Sequence, residues 1–172
     1  MTLLDDALRV TAGWPAGRTL LRGNPAALYR DNVGAHLTAS TLVVHPDRER
    51  VLLCLHPRVR GWVQLGGHCE PGDPTVAHAA LREATEESGI DGLLLSREPI
   101  GFDVHPVVCS AGPGRHFDVR YAALAPDGAV ERVSAESCAL GWYRPDALPA
   151  PLADATEPLI APALAWARTV NP

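Results

Sequence analysis

Residues 67–90 read GHCEPGDPTVAHAALREATEESGI, and this stretch decides the fold. Glu83, Glu86 and Glu87 fall within five residues, just after a glycine-rich segment. On a helix, positions three and four apart share a face, so Glu86 and Glu87 both lie near Glu83. Like charges at that spacing repel, roughly a few tenths of a kcal/mol per pair. A bound divalent cation would remove the penalty. Clustered hard oxygens suit Mg²⁺, which takes one or two carboxylates and completes its octahedron with water and substrate phosphate. Asp73 followed by Pro74 predicts an N-cap and a first helical residue, and Gly89 a left-handed helix end. The spacing therefore predicts a helix over 74–88. Val76, Ala79, Ala80 and Ala84 give it a mostly small face for close approach to a sheet. The alternative is a surface helix with a solvated acidic end and an Arg82–Glu86 ion pair.

The stretch resembles the signature box of the Nudix hydrolases, G-x5-E-x7-R-E-U-x-E-E-x-G-U, with U aliphatic. Gly67 matches the first glycine, and Arg82-Glu83-Ala84-Thr85-Glu86-Glu87-Ser88-Gly89-Ile90 matches the second half, with a small residue, Ala84, at the first U. It departs twice. Asp73 stands where the pattern has Glu, and the interval from Asp73 to Arg82 is one residue longer, an insertion read as lying in the turn that enters the helix. The resemblance implies an α/β fold, the Nudix α/β/α sandwich around a mixed β-sheet.

Composition bounds the rest. A chain of 172 residues suits one well-packed domain. It divides into an N-terminal arm (1–33), a core (34–145) and a C-terminal tail or helix (146–172). Net charge is −5, with all fifteen cationic residues arginine, so no overall basic field attracts a nucleic-acid backbone. Long RNA or DNA is not expected as substrate; a nucleotide is not excluded. Cys54, Cys69, Cys109 and Cys138 lack the paired spacing of a zinc site or disulfide framework. No leader-like start and no apolar run near 20 residues is present, so the expectation is a cytoplasmic protein without membrane contact.

Along the chain, Leu3–Val10 predicts a short helix, followed by an irregular arm to about Val33. Strands are predicted over 36–44 and 51–55, with Trp62–Leu65 leading into a glycine turn. Further strands are expected over 93–96, 100–104, 116–124 and 139–143. Residues 106–114, with two prolines and two glycines, read as a loop, and 125–128 as a hairpin-type turn. The tail from about Ala155 to Arg168 reads as a helix that Pro158 and Pro162 confine to its later part.

By resemblance, Glu83, Glu86 and Glu87 hold one to three Mg²⁺ ions, with Mn²⁺ as a substitute and the Gly67 backbone carbonyl as a further ligand. Alternatively one glutamate acts as general base instead of holding metal, Glu83 first, and Arg82 orients the cluster. Many members add an acidic residue from a later loop. Glu136 occupies about that place, with Glu131 and Asp118 as alternatives; a solvated loop charge is the other reading. Alternation in His116-Phe-Asp-Val-Arg120 puts His116, Asp118 and Arg120 on one strand face, either to contact phosphate or ribose or as a cross-strand network. His68 and Arg60 are further candidates for substrate contact, with Arg58 beside them; structural hydrogen bonding and ordinary surface exposure are the alternatives. Trp62, Phe102, Phe117 and Tyr121 read as core before base-stacking groups.

The implied activity is metal-dependent hydrolysis of a diphosphate bond in a nucleoside diphosphate linked to another moiety, or a similar small diphosphate. Two other readings remain open: a non-catalytic Nudix-fold regulator, and an isoprenoid diphosphate isomerase, which needs a facing Cys and Glu. Substrate identity and oligomeric state are open, a homodimer included.

Overall fold

Strand β1 (Ala35–Val44) is the axis of the structure. Nine of its ten residues are buried, as its nearly unbroken apolar and β-branched run requires of a strand covered on both faces. The computed structural model describes residues 1–109, 112–133 and 138–171. After β1 come β2 (Val51–His56), β3 (Gly61–Val63), β4 (Leu65–His68), β5 (Leu94–Leu95), β6 (Gly101–Cys109), β7 (Gly112–Leu124) and β8 (Ala139–Tyr143), which join β1 in one mixed sheet. On one edge β1 pairs in parallel with β7 along its whole length, from Ala35 opposite Arg115 to Val44 opposite Leu124. On the other edge it is shared. Thr38–Thr41 pairs with β4, and Val43–Val44 with β2, both antiparallel. The sheet therefore forks at β1.

Helices cover both faces. On one side α1 (Leu3–Val10), α2 (Pro15–Gly23) and α3 (Val76–Ser88) meet Leu37, Ala39, Val119 and Tyr121 through Leu3, Ala7, Val10, Leu21, Val76, Ala79 and Ala80. On the other, α4 (Glu157–Thr169) packs Leu159, Ile160, Ala163 and Ala167 against Leu42, Val44, Ala122 and Leu124. This is the expected α/β/α sandwich.

Several local expectations need correcting. The arm is not irregular, because Pro15 starts α2, where its fixed φ suits a first turn, and residues Pro25–Leu28 form a 3-10 turn. Trp14 stacks on Phe102 at 4.9 Å between ring centroids, tying the arm to the sheet. The arm also positions α3: the buried Asp6 accepts a hydrogen bond from the Val76 N–H at 2.8 Å, satisfying an orphan donor of its first turn. Gly66 and Gly67 lie in β4, not in a turn. The expected loop over 106–114 is largely strand, β6 pairing with β7 from Gly101 opposite Arg120 to Cys109 opposite Gly112. Pro106 is tolerated because β6 pairs on one side only, so its missing N–H interrupts no second ladder. Residues 125–128 form a turn, but no strand follows it in residues 129–133. Helix α4 begins at Glu157 and runs through Pro162, which is exposed, as is Pro158, the residue whose carbonyl the ring leaves without its helical partner. No helix among the described residues is long and apolar enough to cross a membrane.

Candidate active site

Helix α3 starts two residues later than the sequence predicts. Thr75 is its N-cap, its hydroxyl accepting from the His78 N–H at 3.1 Å, and Gly89 ends it in the left-handed region at φ 66°. Asp73 is thereby released from capping. Its carboxylate accepts from the Glu70 N–H at 2.8 Å and takes two bonds from Arg82, Nε to Oδ1 at 3.2 Å and Nη2 to Oδ2 at 3.1 Å. The two departures from the box pattern compensate: a side chain one methylene shorter sits on a connection one residue longer, and the ion pair still closes.

Arg82 is the hub. Besides Asp73, Nη2 donates to the His68 carbonyl at 2.9 Å, and Nη1 to Glu83 Oε1 at 3.0 Å and Glu86 Oε2 at 3.3 Å. These carboxylates raise the guanidinium pKa above its ordinary value, the Asp73 hydrogen bonds being the largest cause. One cation thus fixes the turn, two helix glutamates and the end of β4. The third glutamate, Glu87, is buried, and its Oε2 accepts from the Gly66 N–H at 2.8 Å. A Cβ on Gly67 would stand 2.6 Å from the Glu83 carboxylate, so only glycine lets backbone and carboxylate approach this closely. The donor chemistry is that of a hard cation: glutamate oxygens on a helix facing the strand backbone. Glu83, Glu86 and Glu87, with the Gly67 carbonyl, fit a divalent ion that keeps water and substrate oxygens in its remaining positions.

Beyond the reach of α4, the sheet face that α4 covers, opposite α3, turns polar. Thr38 and Ser40 of β1 donate to the two oxygens of Asp118 at 2.9 and 2.7 Å. Arg120 reaches Asp118 through Nε at 2.9 Å, Asp103 through Nη2 at 3.0 Å and the Ala155 carbonyl through Nη1 at 2.7 Å. Asp118 and Arg120 are both buried, joined as a cross-strand network. His116 continues the same row, as the alternation in the sequence implied, and His36 and His68 gather around it. Burial, reinforced by the neighbouring imidazoles, pushes His116 down to about 3; burial, then His36, Arg30 and Arg58, brings His68 to about 4. His36 is also lowered by burial, against a bond to the Asn32 carbonyl that favours its charged form.

The remaining candidates stand apart. Arg60 is exposed in the β2–β3 turn at φ 55°, and Arg58 is exposed beside it. Glu136 lies outside the described residues. Glu131 accepts from Trp142 Nε1 at 2.8 Å. Among the aromatics, Tyr121 is fully buried, Phe102 and Phe117 pack on Trp14, and Trp62 meets Tyr143 edge-on at 5.1 Å. Sequence reading passed over His36, Thr38 and Ser40. Their period-two spacing in a strand otherwise apolar was the available signal. Asp103 and His105, bonded at 2.8 Å, belong to the segment partly read as loop. A cavity of about 500 Å³ beside the box turn, with Tyr29, Arg30, Asn32, Cys69 and Glu70 in its wall, draws more than half of its lining residues from the arm read as irregular.

Comparison with known proteins agrees with this fold. The family model described as NUDIX domain matches residues 34–166. Among solved structures, a NUDIX-family hydrolase from Clostridium perfringens has 23% identity and a TM-score of 0.60, over 79% of this chain and 98% of its own. The MutT NUDIX hydrolase of Burkholderia pseudomallei has 26% identity and a TM-score of 0.56, over 73% of this chain and 95% of its own. An ADP-ribose pyrophosphatase from Streptococcus suis has 20% identity and a TM-score of 0.56, over 78% and 93%. No curated protein matches the sequence.

Proposed function

The chain belongs to the NUDIX domain family, a Nudix-type hydrolase acting on diphosphates, and from that premise we propose that it cleaves a small nucleoside diphosphate derivative with the help of Mg²⁺. The observation that carries this reading is the Arg82 hub, which holds Asp73, Glu83 and Glu86 around the end of β4 while Glu87 is locked to Gly66. A purely structural helix would gain little from burying a carboxylate beside two others; a cation-binding one requires it.

A diphosphate is anionic and repels an attacking hydroxide, so the site must neutralise charge and orient water. When bound, the divalent cation supplies Lewis acidity and lowers the pKa of coordinated water. Glu86, Glu87 and the Gly67 carbonyl would hold it, which leaves Glu83 as the base. Glu83 accepts the proton of the attacking water at its carboxylate: it lies against the Gly67 backbone and is less enclosed than Glu87. Arg82 is a positioning residue, since its guanidinium is spent on protein acceptors. The cavity beside the box turn is where the nucleoside end would sit, with Tyr29 as a stacking surface and Arg30 available to phosphate. His68 precedes Cys69 of the cavity wall in the chain, whereas Asp118 and Arg120 bond to one another and to β1 and β6 and take no part in that wall.

ADP-ribose heads the substrate panel because the Streptococcus suis protein of like fold is named for it. Activity should favour small diphosphates over capped RNA, because a net charge of −5 attracts no polyanion as a whole. The test is a panel of ADP-ribose, nucleotide sugars, dinucleoside polyphosphates and a short capped RNA, each with Mg²⁺, Mn²⁺ or chelator. We expect turnover of at least one small diphosphate, abolished by chelation. Chelator-resistant turnover, or faster cleavage of the capped RNA, would overturn the proposal.

A further inference from the structure

Three histidines from three neighbouring strands meet on the polar sheet face. Register places His36 of β1 opposite His116 of β7, and His68 of β4 opposite Thr38, one step along the same face. One nitrogen from each ring lies within 4.8 Å of the other two. Among the described residues, this is the group of three potential ligands that converges so closely; of the helix glutamates, Glu83 and Glu86 are drawn to Arg82 and Glu87 to the Gly66 N–H.

The distances suit coordination. Two nitrogens bound to one tetrahedral Zn²⁺ at about 2.0–2.1 Å stand roughly 3.3 Å apart. His36 Nε2 and His68 Nε2 are already 3.1 Å apart, joined by a hydrogen bond whose bridging proton a bound cation would replace. The wider separations would close by combined small rotations about χ1 and χ2 of the three side chains. The tautomer also suits it. His36 Nδ1 faces the Asn32 carbonyl at 3.3 Å, and a carbonyl can only accept, so the proton resides on Nδ1 and Nε2 presents its lone pair to the cluster. Metal-bound histidines are oriented by this kind of outer bond. The ligand positions are also rigid: all three lie in paired strands, and Arg82 clamps the His68 carbonyl at 2.9 Å. An outer layer follows, with His105 packed on the His116 ring at 5.4 Å and bonded to Asp103 at 2.8 Å.

We propose that His36, His68 and His116 form a binding site for a first-row transition-metal cation of the Zn²⁺ class, with the fourth position left to water. Three borderline-soft imidazoles disfavour Mg²⁺, so this site and the hard-oxygen site on α3 select different ions within one fold. Occupied, it would staple β4 and β7 across β1. It does not depend on the assigned hydrolysis.

Full-length protein, stripped of metal, would be titrated with Zn²⁺ alone by calorimetry and with Co²⁺ by visible absorption. We expect one equivalent to bind, with the intense ligand-field bands of tetrahedral Co²⁺, and excess Mg²⁺ not to displace it. The triple variant Glu83→Gln, Glu86→Gln, Glu87→Gln should keep this isotherm. His68→Ala and His116→Ala should each weaken it by more than about 100-fold, since loss of outer-shell partners alone costs about 10–100-fold. Should either histidine variant fail to fold, X-ray absorption on the Zn²⁺-loaded native protein decides: a shell of three imidazole nitrogens supports the site, and an all-oxygen shell sinks it. Absence of binding, or binding lost in the glutamate variant and retained in the histidine variants, would equally overturn it.

Discussion

The Arg82 guanidinium is shared among Asp73, Glu83, Glu86 and the His68 carbonyl, so what each partner contributes can be separated by substitution. Asp73 is the most buried of the three carboxylates and gives two of the bonds. Asp73→Asn leaves Arg82 charged with its most buried anionic partner neutralised. With the arginine itself partly exposed, a loss of about 1–3 kcal/mol is expected, the range for a charge-assisted hydrogen bond. Turnover should fall as well, because Glu83 and Glu86 are then held by a looser cation. Thr75→Ala removes the helix cap, costing about 1 kcal/mol, and should leave turnover of the folded enzyme near native. Chemical denaturation and steady-state rates on both variants provide the check, and Asp73→Asn behaving no worse than Thr75→Ala would show the hub to be dispensable. The sequence alone supports the opposite assignment, in which Asp73 caps the helix. Both residues are good caps, and only the backbone decides which of two nearby candidates meets the first free N–H.

Strand β4 carries two adjacent glycines with different duties. At Gly66 φ is 152°, and a Cβ would stand 2.5 Å from the Cα and Cβ of Ser40, inside the β1–β4 pairing. At Gly67 the obstacle is the Glu83 carboxylate, the far end of a flexible side chain. Gly66→Ala should therefore unfold the region or cost on the order of 3 kcal/mol, combining backbone strain with overpacking. Gly67→Ala should fold and melt near the native protein while losing most of its activity, because Glu83 must swing away from the strand. Thermal melts beside rate measurements distinguish the two; an inactive, unfolded Gly67→Ala would mean that its neighbours cannot yield. At this scale α3 and β8 are legible in the sequence, one from its acidic spacing and terminal glycine, the other from a short aromatic run. The far part of the β6–β7 hairpin, read as a loop over 106–114, is not, since its prolines and glycines argue for a loop until the strand is known to lie at an edge. Helix α4 is misjudged for a similar reason: the cost of Pro162 depends on which way the unpaired carbonyl faces, which spacing does not reveal.

Across the whole molecule, the buried histidines link stability to pH. His68 and His116 have folded-state values near 4 and 3, lowered first by burial and then by neighbouring cationic groups, against 6.5 for an ordinary imidazole. Above pH 6.5 both folded and unfolded chains hold them neutral, and their contribution is fully present. As pH falls from 6.5 toward 4, the unfolded chain binds protons that the folded one refuses, so stability must decline. Melting temperatures in metal-free buffer should drop across that window, and His116→Gln should drop less steeply; a flat profile, or ring resonances titrating near 6.5, would contradict the burial. Nothing in the linear order of residues 36, 68 and 116 announces this cluster. Strand register brings it together, and register across non-sequential strands is the information that local patterns lack.

The parallel pairing of β1 with β7 has a kinetic corollary. Its partners are 80 positions apart along the chain, from Ala35 and Arg115 to Val44 and Leu124. Contacts of that span demand loop-closure entropy before they return any stability, which places them among the slow events of folding. A nascent chain that has emerged through α3 already holds every glutamate of the box. It has no β7 against which to align β1, and no Asp118 to meet Thr38 and Ser40. Catalytic competence therefore arrives late in synthesis, when the second half of the chain docks along a strand made long before it.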